Sequence, residues 1–144
     1  MHRRKLLEAL TRYAQRHPDE QPTVDRFSRL LEGHPNCFER DCWAGHITGS
    51  AWLLDPSQSK LLLTHHRKLN MWLQLGGHSD GDPDTAAVAK REAEEESGLP
   101  VTLVSPEIFD IDVHAIPARK EDPQHEHFDV RFQLLAPRED FVVS

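Results

Sequence analysis

The sequence predicts a mixed α/β (α+β) fold, and three patterns along the chain indicate this class. In the N-terminal region, leucines and aromatic residues recur at helical spacing. Over residues 127–135, apolar and polar residues alternate cleanly, which is typical of a half-buried strand. Between strand-like stretches lies an uninterrupted run of helix formers that stops at Gly98, a residue suited to the left-handed position after a helix. Helices and strands therefore share one chain.

Residues 1–40 are predicted to form a helical hairpin and a linker. The first helix is expected over about 3–16, and its apolar stripe consists of Leu6, Leu7, Leu10, Tyr13 and Ala14. A proline-containing turn follows, and Thr23 is expected to cap a second helix that ends at Gly33. Each helix has one apolar face, so we expect the hairpin to be packed against other parts of the protein.

Residues 41–144 form the second predicted unit, in which strands dominate. Strand-like segments, separated by turn residues and a charged loop, lie at 42–54, 60–65, 71–75, 101–113 and 127–135. The stretch 101–113 predicts one or two strands because Ser105 and Pro106 interrupt it.

Composition and charge bound the possible functions. The chain has 144 residues, of which 38% are hydrophobic, enough to bury a core in a single domain. A formal net charge of −7 argues against non-specific nucleic-acid binding. We expect no membrane association and a cytoplasmic protein, because no apolar run approaches the length of a span and no signal-peptide core follows the basic N-terminus. In that compartment the two cysteines, Cys37 and Cys42, should be reduced.

The most informative segment is an acidic helix preceded by a glycine-rich turn. Asp82 is expected to be its N-cap and Pro83 its first residue, where the missing N–H costs nothing. Glu92, Glu95 and Glu96 have i, i+3, i+4 spacing, which places three carboxylates on one helical face. Like charges at this spacing repel, so either the face is solvated or a cation neutralises it. Hard cations such as Mg²⁺ prefer carboxylate oxygens, often together with substrate phosphates.

Residues 77–99 resemble the Nudix box, whose pattern is G-x5-E-x7-R-E-U-x-E-E-x-G-U with U an aliphatic residue. The matching positions are Gly77, Arg91, Glu92, Glu95, Glu96, Gly98 and Leu99. Pro83 occupies the position of the first box glutamate, although Asp82 and Asp84 flank it and keep the turn acidic. Leu75 stands where the family usually has proline before the paired glycines.

The resemblance implies a Nudix-type αβα sandwich around a mixed β-sheet. Family members usually continue with a further strand and a closing helix, whereas this sequence stops at Ser144 without that helix. Two alternatives follow: the chain is shortened, or the N-terminal hairpin covers the other sheet face. A bare apolar face would invite association, so a homodimer is one arrangement that the sequence allows.

The resemblance also implies an activity: hydrolysis of a phosphoanhydride bond in a small-molecule nucleoside diphosphate linked to another moiety, dependent on Mg²⁺ or on Mn²⁺ in its place. Arg91 would pair with a carboxylate and orient it. Gly76 and Gly77 would let the backbone turn tightly and approach the bound cofactor. The metal ligands implied by the family are Glu92, Glu95 and Glu96.

Histidines offer further candidates. His127 begins the last alternating strand beside Asp129, which would orient it, so we expect His127 to act as general base or extra ligand. His125 and Glu126 are alternatives for that role, and a merely polar strand face explains the pattern equally well. His34, Cys37, Cys42 and His46 match no familiar zinc spacing, and buried thiols are the simpler explanation for the cysteines.

Two other classes of function compete with the hydrolase. A non-catalytic Nudix-fold binding or regulatory module would be expected to lose box carboxylates, but Glu92, Glu95 and Glu96 are all present. A prenyl-diphosphate isomerase-like enzyme would need a cysteine in its site, and neither Cys37 nor Cys42 has an evident site position. Fold does not decide among substrates.

Overall fold

The computed structural model describes residues 3–58, 61–66 and 71–137, so the chain end at 138–144 lies outside the described residues. The elements, in chain order, are α1 (Arg4–Arg16), a 3₁₀ turn (Pro18–Glu20), α2 (Gln21–Gly33), β1 (His46–Leu54), β2 (Leu61–His66), β3 (Met71–His78), α3 (Thr85–Ser97), β4 (Thr102–Leu103), β5 (Asp110–Ile116) and β6 (His125–Leu135). The predicted mixed α+β class is confirmed, with its N-terminal hairpin of helices and its mixed sheet.

The sheet is organised around β1 and β6, which lie side by side and run parallel. On one flank β3 pairs antiparallel with β1, and β2 pairs antiparallel with β3. On the other flank the long strand β6 has two antiparallel partners, β5 along its first half and β4 at its last two residues. The spatial order β2-β3-β1-β6-β4, with β5 also on β6, makes this a mixed sheet of six strands.

The two faces of the central strands differ in chemistry because side chains alternate along each strand. In the β1–β6 register Ile47 is opposite Phe128 and Gly49 is opposite Val130, which defines an apolar face. His46 is opposite His127, and Thr48 opposite Asp129, which defines a polar face. The alternation over 127–135 predicted from the sequence is therefore the division between these two faces.

Both helical units lie on the apolar face. The ring of Phe27 in α2 packs edge-to-face on Phe128, with centroids 5.2 Å apart. Gly49, on the same face, allows α3 to approach, since a Cβ there would lie 3.0 Å from the Val88 side chain. One core of buried residues joins α1, α2, α3 and the sheet, and Leu10, Phe27 and Leu31 in it are fully buried. The second helix of the hairpin, α2, thus packs on the same face of the sheet as α3.

Two helices begin at different residues from those the sequence predicts. α2 begins at Gln21, with Pro22 in its first turn, so Thr23 lies inside the helix and does not cap it. α3 begins at Thr85, and its N-cap is Asp84, whose side chain accepts a hydrogen bond from Ala87 N–H. The side chain of Asp82 instead accepts a hydrogen bond of 2.9 Å from Asp84 N–H. This contact forms a local turn, and Pro83 therefore precedes the helix.

The paired glycines also differ from expectation. Gly76 and Gly77 belong to β3, which continues to His78, and the tight turn comes afterwards at Asp80 and Gly81, both with positive φ. The prediction of a turn at the glycines is wrong because β1 continues to pair with β3 through this segment. None of the described helices is long and apolar enough to span a membrane.

Candidate active site

The acidic face of α3 lies against the end of β3, and the two paired glycines make this approach possible. A Cβ on Gly77 would lie 2.6 Å from Glu92 Oε1, which means that the Glu92 carboxylate occupies the space a side chain would need. One residue earlier, Gly76 N–H donates a hydrogen bond of 3.1 Å to Glu96 Oε1. Two of the three predicted ligands therefore converge on the glycines of the Nudix-like motif.

The ionised forms of these carboxylates are disfavoured by their surroundings. Burial, together with the neighbouring Glu95 charge, raises the pKa of Glu92. Burial also raises the pKa of Glu96 to about 7, even though the Gly76 hydrogen bond favours the charged form. Both shifts have the causes expected for carboxylates gathered on one half-buried face. A cation at this face would favour the ionised forms.

The other charged residues of α3 lie at different positions relative to Glu92 and Glu96. Glu95 is exposed but close enough for its charge to act on both Glu92 and Glu96. Arg91 forms a long ion pair with Asp82, 3.8 Å between Nη1 and Oδ2, so its carboxylate partner lies in the preceding turn. Glu94 is on another side of the helix, where its Oε2 accepts a hydrogen bond from Val101 N–H.

Arg40, which was not predicted as a site residue from the sequence, lies near Glu92 of the Nudix-like segment. Arg40, in the loop before β1, makes two hydrogen bonds to Asp80, of 2.7 and 3.1 Å. Burial raises the pKa of Glu92, and the charge of Arg40 partly offsets this rise; burial lowers the pKa values of His46 and His78, and the charge of Arg40 adds to that effect. Arg40 is thus near both the glutamates and a group of histidines. No local motif marks it, because a loop far away in sequence brings it here.

His127 lies on the polar face, opposite the face on which α3 packs, and among other histidine rings. The centroid of its ring is 4.7 Å from that of His46, 5.1 Å from His78, 5.3 Å from His125 and 5.6 Å from His114. Burial, followed by its histidine neighbours, lowers the pKa of His127 to about 3. The structure therefore brings His127 together with histidines, and Glu92, Glu95 and Glu96 are grouped separately on α3.

Asp129, expected to orient His127, has other partners. Its Oδ1 accepts hydrogen bonds from Thr48 Oγ1 at 2.8 Å and Ser50 Oγ at 2.7 Å, and its Oδ2 accepts one from Arg131 at 3.1 Å. Asp129 is 4% exposed, and burial raises the pKa of its carboxyl. Arg131 Nη1 also donates a hydrogen bond of 2.9 Å to Asp110 Oδ2. These residues join β1, β5 and β6 in one buried polar network.

The cysteines are free thiols in the core. Burial raises the pKa of Cys37 to about 11 and also raises the pKa of Cys42. Both therefore remain protonated near neutral pH, which matches the expectation of reduced, buried thiols. This setting is unsuited to a reactive nucleophile.

Comparison with known proteins gives structural similarity only. No family model matches the chain, and no curated protein matches it. A solved hydrolase of the NUDIX family from Clostridium perfringens superimposes with a TM-score of 0.49 at 25% identity, covering 69% of this chain and 72% of that one. The Ap4A hydrolase of C. elegans gives a TM-score of 0.45 at 18% identity, covering 68% and 74% respectively. The solved structures similar to this chain thus include NUDIX hydrolases.

Proposed function

We propose that this protein is a Nudix-type hydrolase that cleaves a phosphoanhydride bond in a small nucleoside diphosphate derivative with the help of Mg²⁺. The observation that carries the proposal is the convergence of Glu92 and Glu96 on Gly77 and Gly76. Three positions of the Nudix-like motif, Gly77, Glu92 and Glu96, together with the adjacent Gly76, meet at one place in the fold. An acidic helix that only faced solvent would have no need of glycines at those positions.

The donor set fits a hard dication. Carboxylate oxygens are the ligands that Mg²⁺ prefers, and the pKa values of Glu92 and Glu96 are raised because burial and neighbouring glutamates disfavour their ionised forms, which a bound cation would favour. The arginines near Glu92, namely Arg40 and Arg91, form ion pairs with Asp80 and Asp82. We infer that Glu92, Glu95 and Glu96 hold the metal.

When bound, Mg²⁺ would supply charge neutralisation at the phosphoryl oxygens and activation of water. The chain's own residues have distinct tasks. Gly76 N–H fixes the orientation of Glu96 by its hydrogen bond, and Gly77 leaves room for Glu92. Arg91 and Asp82 hold the turn before α3 against the helix.

The replacement of the first box glutamate by Pro83 fits this proposal. Pro83 precedes α3, and the acidic neighbours Asp82 and Asp84 are used for the turn and the helix cap. The convergence at Gly76 and Gly77 involves neither Pro83 nor its neighbours. We therefore expect an active enzyme in spite of this departure from the motif.

The proposal is tested by separating the products formed from a panel of nucleotide sugars, dinucleotides, nucleoside triphosphates and prenyl diphosphates, each with Mg²⁺ and with chelator; cleavage of the phosphoanhydride adds one water and yields a nucleoside monophosphate together with the other phosphorylated half. We expect Mg²⁺-dependent cleavage of at least one nucleoside diphosphate derivative. Absence of turnover across the panel, combined with tight binding of a nucleotide, would instead support the binding-module alternative. Isomerisation of a prenyl diphosphate with its diphosphate group left intact would support the third class.

A further inference from the structure

The polar face of the sheet gathers histidines from neighbouring strands. His46 on β1 pairs in register with His127 on β6, and His114 on β5 pairs with His127 from the other side. His125 precedes His127 by two residues and so points to the same face. The ligating nitrogens of His46, His125 and His127 all lie within 4.8 Å of one another. Among the described residues, His46, His125 and His127 are the group of three candidate metal ligands whose ligating atoms lie this close together.

Two of these rings have buried nitrogens without hydrogen-bond partners. His46 is 2% exposed; the backbone of Cys42 is near enough to influence its ring, but neither Nδ1 nor Nε2 makes a hydrogen bond of normal geometry. The Nε2 atom of His127 is likewise buried and has no partner. A buried polar atom without a partner costs about 1–3 kcal/mol. A metal ion that accepts the lone pair of one nitrogen in each ring would remove part of this cost.

His125 is already prepared to be a ligand. Its Nδ1 lies 2.9 Å from the carbonyl oxygen of Pro123, which can only accept a hydrogen bond. The proton must therefore be on Nδ1, which leaves the Nε2 lone pair available. Metal-binding histidines commonly have this arrangement, in which the second nitrogen donates to a carbonyl or carboxylate.

Packing of neutral rings is the simpler explanation and accounts for part of the cluster. Ring centroids 4.7–5.3 Å apart among His46, His125 and His127 suit such packing. It does not explain why polar rings occupy a buried position with their nitrogens unsatisfied.

We propose that His46, His125 and His127 bind a divalent transition-metal ion of the zinc type, at a site distinct from the glutamates of α3. Imidazole nitrogens suit Zn²⁺, Cu²⁺ and Ni²⁺, whereas Mg²⁺ prefers oxygen. Metal–nitrogen bonds of about 2.0–2.1 Å require the nitrogens to move closer together than they are now, so binding would be accompanied by rotation of the rings toward one another. Three protein ligands leave a fourth position for water or for one of the neighbouring rings of His78 and His114.

The position of the site defines its effect on the fold. His46 is the first residue of β1, and His125 is the first residue of β6. An ion held between them would connect the beginnings of the two central parallel strands. Ligands that bind only the folded chain stabilise it, so zinc should raise the melting temperature.

The experiment is a titration of the purified, metal-free protein with Zn²⁺ against a chromophoric chelator, in millimolar Mg²⁺ so that the glutamates are occupied. The variants are His125→Gln, chosen because His125 is only half-buried, and His34→Gln as a control outside the cluster. Substitution of Co²⁺ gives a second readout, since three or four ligands around Co²⁺ produce intense visible absorption. Melting temperatures of the metal-free proteins verify that both variants fold.

We expect one zinc ion per chain for wild type and for His34→Gln, a visible Co²⁺ spectrum, and a higher melting temperature with zinc. The affinity of His125→Gln should be lower by at least the roughly 10- to 100-fold that loss of an outer-shell partner costs. The proposal is overturned if Zn²⁺ does not bind in the presence of Mg²⁺, or if His125→Gln binds it as tightly as wild type. It is equally overturned if Glu96→Gln, and not His125→Gln, abolishes zinc binding. None of these outcomes depends on hydrolytic activity.

Discussion

Gly77 shows how a single missing Cβ shapes the proposed active site. Its neighbour across the interface is the Glu92 carboxylate, the flexible end of a side chain, and not rigid backbone. A side chain at position 77 would therefore displace Glu92 without displacing α3. Gly33, at the end of α2, has no atom within 4 Å of the position its Cβ would take. The two glycines form a natural test pair.

We predict that Gly77→Ala lowers hydrolytic activity at least tenfold, about 1.4 kcal/mol of barrier, while it changes the melting temperature little. The reason is that Glu92 must move away by more than a few tenths of an ångström. Activity and thermal unfolding of Gly77→Ala and Gly33→Ala are measured side by side, and Gly33→Ala should retain full activity. An active Gly77→Ala enzyme would mean that the position of Glu92 is unimportant.

The candidate residues show which functional features a sequence can reveal. Glu92 and Glu96 are predictable because they are four residues apart on one helix, and helical geometry alone places them together. His46 and His127 are 81 positions apart and meet only through the parallel register of β1 and β6. Alternation predicts the face on which each lies, but not the neighbouring strand or its register. Arg40 was not predicted either, because its position near Glu92 also depends on a contact between segments that are distant in sequence.

At the scale of the element, the sequence predicts the presence of helix α3 and its end correctly, but not the residue at which it begins. The acidic helix and its end at Gly98, which has the left-handed φ of 74°, are as the sequence indicates. The beginning is two residues later than expected because several aspartates compete for the cap. Asp84 accepts the hydrogen bond of a cap, and Asp82 accepts that of a turn. Sequence alone did not decide between these local alternatives.

We predict that Asp84→Ala destabilises the protein by about 1 kcal/mol, the usual cost of a lost N-cap. Asp82→Ala is the control, and it should cost less because it removes only a turn hydrogen bond and a long ion pair with Arg91. Urea unfolding of both variants measures the difference. A larger loss for Asp82→Ala would show that the helix begins at Pro83 after all.

At the scale of the whole molecule, the hairpin and the sheet share one core. Phe27 is fully buried, with its ring against Phe128. Ion pairs reinforce the contact at the surface, Arg26 with Glu126 at 2.7 Å and Arg12 with Glu107 at 2.8 Å. Exposed pairs of this kind contribute little, so the apolar contact should dominate. The hairpin is therefore a part of the fold on which the sheet depends.

We predict that Phe27→Ala destabilises the whole protein by about 3–5 kcal/mol, with a single unfolding transition. The matched control is Phe109→Ala, whose ring is 38% exposed and contacts Trp52, and it should cost less than half as much. Thermal unfolding followed by circular dichroism measures both variants. A small loss for Phe27→Ala, or two separate transitions, would show that the hairpin is an independent appendage.

The central claim is that the carboxylates facing Gly76 and Gly77 perform the chemistry. The most direct measurement compares Mg²⁺-dependent turnover of wild type, Glu96→Gln and Glu94→Gln on the best substrate of the panel. Glu94→Gln makes the same change of charge on the same helix. It is the control because Glu94 lies on another side of the helix, where its side chain accepts a hydrogen bond from Val101 N–H. We predict a loss of at least about 100-fold for Glu96→Gln, some 2.7 kcal/mol of barrier, and near wild-type turnover for Glu94→Gln. Equal turnover of Glu96→Gln and Glu94→Gln at saturating Mg²⁺ would contradict the claim.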